Sequence, residues 1–262
     1  MADWIASTGT LDDDPVEAST IVVLPLGATE QHGPHLPFET DTLIAQGICE
    51  RLIGKLPKNA DVRFLPVEPV GYSPEHMDFT GSKSLDHTEA IERWTAIGAT
   101  AFAHGVRRLL LLNAHGGNSP LAAIVAQELR VRHSMLAVVT KWDRFLKGTD
   151  VVSENEQALG IHGGEIETSV MLALRPDLVD MSKTSDFSNA QSHFADTFDH
   201  LRAYGPHAFG WKIQDLNPTG VTGNAAAASA QKGESLLALA VDGLVELIND
   251  VTRFDLTLLK DG

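Results

Sequence analysis

Four consecutive leucines, residues 109–112, are the feature that most limits how this chain can fold. A strand that is apolar at every position must be buried on both faces, which is typical of the middle of a parallel sheet covered by helices. Ile21–Leu26 is a second continuous apolar run, rich in β-branched residues and followed by Gly27. Both runs therefore predict strands at the centre of a mostly parallel sheet.

The rest of the chain alternates between helix and strand patterns. Apolar residues recur at helical spacing in residues 42–56, 86–104, 119–132, 165–174 and 225–252. Shorter apolar runs at residues 62–70 and 135–140 indicate two further strands. This order predicts one α/β domain over residues 1–262, with a mostly parallel central sheet and helices on both faces. A functional site is expected where the carboxyl ends of the strands meet.

The composition is that of an acidic globular protein. A formal net charge of -15 over 262 residues disfavours binding to nucleic acids or to anionic membranes. No apolar stretch reaches the roughly 18 residues that a membrane helix needs. Residues 1–14 lack the basic and then apolar pattern of a secretion signal, so a cytoplasmic location is expected. The single cysteine, Cys49, excludes an intramolecular disulfide and is expected to be a buried thiol.

Five acidic or imidazole side chains fall within twelve residues after the first strand: Glu30, His32, His35, Glu39 and Asp41. Oxygen and nitrogen ligands at this density suggest a metal site. In an extended segment Glu30 and His32 point to the same side, so both can reach one cation. Asp41 sits where a helix should begin, and it either folds back to the same point or is an ordinary helix N-cap.

Two other strand ends carry candidate binding groups. Residues 71–85 contain Glu75 and His76, and they form either a substrate-binding loop or a solvated surface loop. His115 follows the leucine strand, and the next two residues, Gly116 and Gly117, let the backbone approach a ligand closely. We expect both groups at the same edge of the sheet as the first cluster.

His162 is a second histidine with glycine neighbours, and it precedes the helix predicted at residues 165–174. Glu165 and Glu167 lie in the first turn of that helix, where its dipole favours carboxylates even without a functional role. The adjacent histidine also favours a role for these two carboxylates in the site. Three more histidines have no ligand spacing and are expected at the surface: His193, His200 and His207.

Five separated segments read LPLGATEQHGPHLPFETD, SPEHMDFTGSKSL, LLNAHGGN, HGGEIETSVML and GVTGNAAAASAQKGESLL. In this order and spacing they resemble the creatininase (creatinine amidohydrolase) family, from about residue 20 to residue 248. The resemblance implies a single-domain, Rossmann-like layered α/β fold. It also implies two divalent metal ions per subunit and a homohexamer.

Carried over to this sequence, the resemblance implies that Glu30 and His115 hold one metal ion. His32 would hold the other ion, and Asp41 would bridge the two. His162 matches the family histidine that shuttles a proton. The expected ions are zinc, with manganese and iron as alternatives that accept the same ligands.

This chain departs from creatininase proper at one ligand position. In creatininase a further glutamate ligand stands two residues after the histidine that matches His115, and this chain has Gly117 there. Glu165 is the first candidate to complete the second metal shell and to act as a catalytic residue, and Glu167 is the alternative. The remaining candidates are expected to contact the substrate: Ser73, Glu75, His76, Gly116, Gly117 and Trp142.

These residues predict a dinuclear-metal-dependent amidohydrolase for a small-molecule substrate. Two cations about 3.5–4 Å apart activate water and polarise a carbonyl, and His162 would deliver a proton to the leaving nitrogen. A phosphorylated substrate would need a basic pocket, but the candidate loops contain few lysines. The preferred substrate is therefore a small cyclic amide, as in the conversion of creatinine to creatine. Within the family, the alternatives are a formamide of a pyrimidine precursor, a keto-cyclitol ring and a peptide-trimming reaction.

Two rival functions come from other classes. A non-catalytic oligomer could use the metals to stabilise its subunits, but a closed structural zinc site normally has four protein ligands and often cysteine. A nucleotide-binding oxidoreductase is disfavoured because the segment LGATEQHG lacks the glycine pattern of a dinucleotide site.

Overall fold

The two apolar runs lie side by side at the centre of one sheet in the computed structural model, which describes residues 16–260. Four parallel strands pair in the order β2-β1-β3-β4. Their bounds are β1, Ile21–Leu26; β2, Val62–Phe64; β3, Arg108–Asn113; and β4, Leu136–Lys141. Leu26 lies opposite Asn113, and Asn113 lies opposite Lys141, so these three strands end at the same level. The predicted parallel sheet is confirmed.

Helices cover both faces of the sheet, as expected. Their bounds are α1, Thr40–Lys55; α2, His87–Ala103; α3, Ser119–His133; α4, Glu154–Leu159; α5, Glu165–Leu174; α6, Gln191–Thr197; α7, Ile213–Leu216; and α8, Ala230–Arg253. Ile21 and Val23 of β1 pack with α1, α5 and α8, whereas Val22 and Leu24 pack with α2 and α3. A two-stranded antiparallel pair, β5 (Asp186–Phe187) and β6 (Gly223–Asn224), lies outside the main sheet.

Two predicted elements differ in extent. The second strand was expected over residues 62–70, but β2 ends at Phe64, because Pro66 and Pro69 have no N–H group to donate to a neighbouring strand. The last helix begins at Ala230 rather than at residue 225, because Ser229 caps it by accepting a hydrogen bond from the N–H of Lys232.

The remaining expectations concern Cys49 and membrane spans. Cys49 is buried in α1 with a free thiol. Among the helices of residues 16–260, none has the length and apolar character needed to cross a membrane. The acidic segment of residues 1–14 lies outside the described residues.

We expect Gly233→Ala to destabilise the fold. Helices α5 and α8 approach closely there, and a Cβ atom on Gly233 would lie less than 3.0 Å from the backbone oxygen of Ser169. Relieving that clash should lower the free energy of unfolding by about 1–3 kcal/mol, which urea denaturation would measure. Gly54→Ala is the matched control, because the described residues leave open space at that position of α1 and alanine should stabilise the helix by up to about 1 kcal/mol. Equal urea midpoints for Gly233→Ala and the wild type would contradict the close approach.

Candidate metal centre

Side chains from two strand ends and one helix converge at the carboxyl edge of the sheet. Glu30 and His32 follow β1, His115 follows β3, and Asp41 lies in the first turn of α1. All four are at most 4% exposed. Nδ1 of His115 lies 3.1 Å from Oε1 of Glu30 and 3.3 Å from Oδ2 of Asp41. The other oxygen of Asp41, Oδ1, lies 3.4 Å from Nε2 of His32.

Four more side chains complete the cluster: Glu75, His76, His162 and Glu167. Oε1 of Glu30 lies 3.4 Å from Nε2 of His76 and 3.6 Å from Nδ1 of His162. Oε2 of Glu167 lies 3.8 Å from Nε2 of His32. The ligand atoms form four groups that are close enough to share a cation: Glu30 with His32 and His162, Glu30 with Asp41 and His115, Glu30 with Glu75 and His76, and His32 with Asp41 and Glu167.

Three histidines of the cluster are oriented by backbone carbonyl groups, each of which accepts one ring N–H. The pairs are Nδ1 of His32 with Glu30 O at 2.9 Å, Nε2 of His115 with Tyr72 O at 3.0 Å, and Nε2 of His162 with Gln31 O at 2.6 Å. A carbonyl oxygen can only accept, so the bonded ring nitrogen carries a proton. The opposite ring nitrogen faces the cluster and is the one that can bind a metal ion. This is the arrangement by which proteins fix the tautomer of a metal-binding histidine.

The cluster concentrates opposite charges in a buried space. Burial opposes ionisation of Glu30, but the charges of His115 and His76 outweigh it and lower the pKa of this carboxyl to about 2. Burial likewise opposes protonation of His32, yet Asp41 raises the pKa of the ring to about 9. Burial raises the pKa of Glu167 to about 7. A bound cation would take the place of protons at these ligands.

The chemistry of the donors fits divalent cations. Within the described residues, both carboxylate oxygens of Glu30, Nε2 of His32 and Oδ2 of Asp41 are buried without a hydrogen bond. Leaving such atoms unsatisfied is costly, and a metal ion would satisfy all of them. Carboxylate and imidazole ligands suit zinc, manganese and iron.

The structure does not bring Glu165 into this cluster. Its carboxylate pairs with the ammonium group of Lys232, and Glu165 belongs to no potential cation-binding group within residues 16–260. Residues two apart on an α-helix point about 200° away from each other. When Glu165 faces α8, Glu167 therefore faces His32, and the structure favours Glu167 for the position first given to Glu165.

Among the expected substrate contacts, Glu75 and His76 belong to the cluster, and Ser73 borders it. Ser73 Oγ lies 3.3 Å from Nε2 of His115, and Glu75 Oε1 lies 3.7 Å from the same nitrogen. A Cβ atom on Gly117 would lie less than 3.0 Å from both Tyr72 O and Glu75 Oε1. The backbone here therefore excludes a glutamate at position 117, and the carboxylate of Glu75 occupies part of that space. At Gly116, by contrast, a Cβ atom would meet open space among the described residues.

Trp142 lies on a cavity beside the cluster. The cavity measures about 620 Å³ and is lined by Lys141, Trp142, Ile161 and Glu167, among others. Nζ of Lys141 is paired with Asp143 at 2.7 Å, so its charge is compensated. Because Glu167 belongs to both the cavity and the cluster, the two adjoin each other at this residue.

Some residues of the site gave no usable sequence signal. The carbonyl groups of Gln31 and Tyr72 orient histidines, but a backbone acceptor leaves no mark on residue type. His35 was part of the first ligand-rich segment, yet its Nε2 donates to Gly163 O at 3.0 Å, so it anchors the loop after His162. Glu39 is exposed, as are His193, His200 and His207.

The sequence of this chain is similar to known proteins of one family. The family model "Creatininase: Creatinine amidohydrolase" matches residues 8–248. Creatinine amidohydrolase of Pseudomonas putida is 31% identical over 249 residues, which cover 88% of this chain and 89% of that protein. A mycofactocin precursor peptide peptidase of Mycolicibacterium smegmatis is 29% identical, with 87% and 84% covered.

A solved structure also shares the fold. A mutant creatininase of the Zn-Zn type matches with a TM-score of 0.73 and 30% sequence identity, covering 90% of this chain and 92% of that one. The α/β architecture, the family and the hydrolase class expected from the sequence are thereby confirmed. The chain belongs to the creatininase (creatinine amidohydrolase) family of hydrolases.

Proposed function

We propose that this protein is a dinuclear-metal amidohydrolase that cleaves a C–N bond of a small amide with metal-activated water. The observation that carries the proposal is the position of Asp41. Its two oxygens lie 3.4 Å and 3.3 Å from ring nitrogens of two different histidines, so one buried carboxylate can serve two cations. The alternative that Asp41 is only an N-cap finds no support, because it lies inside the first turn of α1, after Thr40.

Each cation would have three protein ligands, with Asp41 shared between them. One group is Glu30, Asp41 and His115, and the other is His32, Asp41 and Glu167. When bound, two such ions lower the pKa of water and polarise the carbonyl under attack. Zinc is the first choice, and manganese and iron suit the same donors. Three protein ligands leave room for water, as in catalytic sites and unlike closed structural ones.

His162 is positioned to move a proton. Its Nε2–H is held by Gln31 O, its ring stacks on His32 with centroids 4.1 Å apart, and its Nδ1 faces Glu30. Nδ1 is therefore the atom that would take up a proton and deliver it to the leaving nitrogen. Because its other nitrogen is fixed by a backbone carbonyl, the ring cannot turn away without breaking that bond.

Creatinine is the first substrate to test, and a larger amide is the second candidate. The volume of about 620 Å³ lies in the range of about 300–1,000 Å³ that is typical of sites for drug-sized ligands. Ile161 and Gly160 line this space, which leaves room beyond a single five-membered ring. A linear amide or short peptide would use that space, in line with the peptidase among the relatives.

A homohexamer in the cytoplasm completes the proposal and follows from the family resemblance. Light scattering would test the assembly, with six times the chain mass as the expected result. A monomeric mass would contradict the hexamer without affecting the proposed chemistry, because every proposed ligand comes from this one chain.

Metal removal tests the proposed chemistry directly. Gently purified protein should contain two equivalents of metal per chain, and hydrolysis of creatinine should stop on chelation and return when zinc or manganese is restored. Two equivalents without creatinine hydrolysis would redirect the search to linear amides, formamides and cyclic ketones. A metal-free protein that gains no ion on titration would contradict the metal centre.

Four single variants test the ligand assignment through metal content. Asp41→Ala should bind neither ion, because both groups lose a ligand, whereas Glu167→Ala should retain one equivalent. Glu165→Ala should keep both, since that carboxylate pairs with Lys232. Glu39→Ala is the exposed control and should also keep both. Loss of an equivalent in Glu165→Ala, but not in Glu167→Ala, would restore Glu165 as the ligand.

His162→Ala separates proton transfer from metal binding. We expect the variant to keep nearly normal metal content and to lose about 100-fold or more in turnover, because a positioned general acid contributes about that much. Elemental analysis and steady-state kinetics would measure the two effects. If the variant instead lost a metal equivalent, His162 would be a ligand and not the proton carrier.

A further inference from the structure

Glu156 is a buried carboxylate that the proposed chemistry does not use. It lies in α4, is only 2% exposed and belongs to no potential cation-binding group among the described residues. Its Oε1 accepts a hydrogen bond from the N–H of Glu165 at 2.7 Å, and its Oε2 accepts one from the N–H of Asn224 at 2.8 Å. The carboxylate thus joins three separate segments, α4, the start of α5 and β6.

Three glycines make room for this carboxylate. A Cβ atom on Gly160, Gly164 or Gly223 would in each case lie less than 3.0 Å from a carboxylate oxygen of Glu156. Gly160 and Gly164 lie four residues apart around His162, and Gly223 comes from β6. A nest of this kind accommodates an anion through backbone N–H groups at close range.

The nest also completes the N-terminus of α5. The N-cap residue of this helix is Gly164, which has no side chain to satisfy the first N–H groups. Glu156 performs that task from another helix, and its negative charge lies at the positive end of the helix dipole. The first turn so capped carries Glu167.

The residues packed against this carboxylate lie on both sides of His162 in the sequence. Gly160 stands two residues before this histidine and Gly164 two residues after it. The carbonyl oxygen of His162 accepts a hydrogen bond from the N–H of Thr222 at 2.9 Å, two residues before the Asn224 that Glu156 holds. The carboxylate of Glu156 therefore lies against Gly160 and Gly164 on either side of this histidine. It also binds the backbone of Asn224, two residues beyond Thr222.

We propose that Glu156 is a positioning residue that fixes His162 and Glu167 in the metal centre. The inference rests on the proposed function, in which these two residues carry a proton and bind a cation. Glu156 itself touches neither the substrate nor the metal ions. It acts by holding the loop before α5 and the first turn of α5 in one arrangement relative to α4 and β6.

Glu156→Gln is the principal test, because it keeps the shape of the side chain and places an NH₂ group against a backbone N–H donor. Zinc titration should show one equivalent bound as in the wild type and the second weakened about 10–100-fold, as for other supporting residues of metal sites. Turnover should fall at least about 10-fold. The NMR signal of the Nε2 proton of His162, which Gln31 O holds at 2.6 Å, should shift or vanish.

A second variant and matched controls keep the test decisive. Gly160→Ala leaves the charge of Glu156 unchanged but displaces its carboxylate, so it should reproduce the same three effects. Gly54→Ala, in open space, and Glu92→Gln, an exposed carboxylate of α2, should change none of them. Thermal unfolding of every variant reports whether the fold survives.

The possible outcomes each decide the question. Wild-type zinc affinity, turnover and His162 signal in folded Glu156→Gln and Gly160→Ala would overturn the proposal. Unfolding of both variants would also overturn it, since the carboxylate would then support the whole fold. If the wild type itself bound no zinc, the proposed function would fail, and the His162 signal would still show whether Glu156 positions the ring.

Discussion

The pairing of β1 with β3 is the constraint on which the rest of the structure depends. Both strands are apolar at nearly every position, so both must lie inside, and their register places Leu26 beside Asn113. The two strands therefore end at the same level of the sheet. Glu30 and His115, which are far apart in sequence, consequently meet with 3.1 Å between Oε1 and Nδ1. Burial of apolar strands thus assembles a polar site.

The site holds buried carboxylate and imidazole groups in a rigid arrangement that is electrostatically unfavourable. Buried carboxylates and imidazoles partly compensate one another, yet atoms of Glu30, His32 and Asp41 remain without hydrogen bonds within the described residues. Backbone carbonyl groups hold the rings, so these atoms cannot rearrange to satisfy each other. A centre of this kind is preorganised for cations, and the ordering cost is met by folding rather than by binding.

The strand ends and α1 supply Glu30, His32, Asp41 and His115, and the start of α5 adds two further side chains. His162 precedes this helix and Glu167 lies in its first turn, so the rotation and the start of α5 decide where both side chains point. Packing against α8 and the carboxylate of Glu156 set that rotation and that start. The neighbouring cavity is lined by residues from the end of β4 to the first turn of α5, and Glu167 is one of them.

The sequence alone determined the central strands and the bounds of α5, because apolar patterning acts over a few residues. It also marked the segment from Glu30 to Asp41 through its density of carboxylate and imidazole side chains. The local pattern predicted too long a second strand, because two prolines after β2 lack the N–H groups that would extend the pairing. Only the tertiary structure places Glu167, and not Glu165, beside His32, since the two differ by about 200° of helix rotation that packing alone fixes. It also revealed the contacts of Glu156, because its partners are backbone N–H groups, which carry no signature in residue type, and one of them, Asn224, comes from a distant segment.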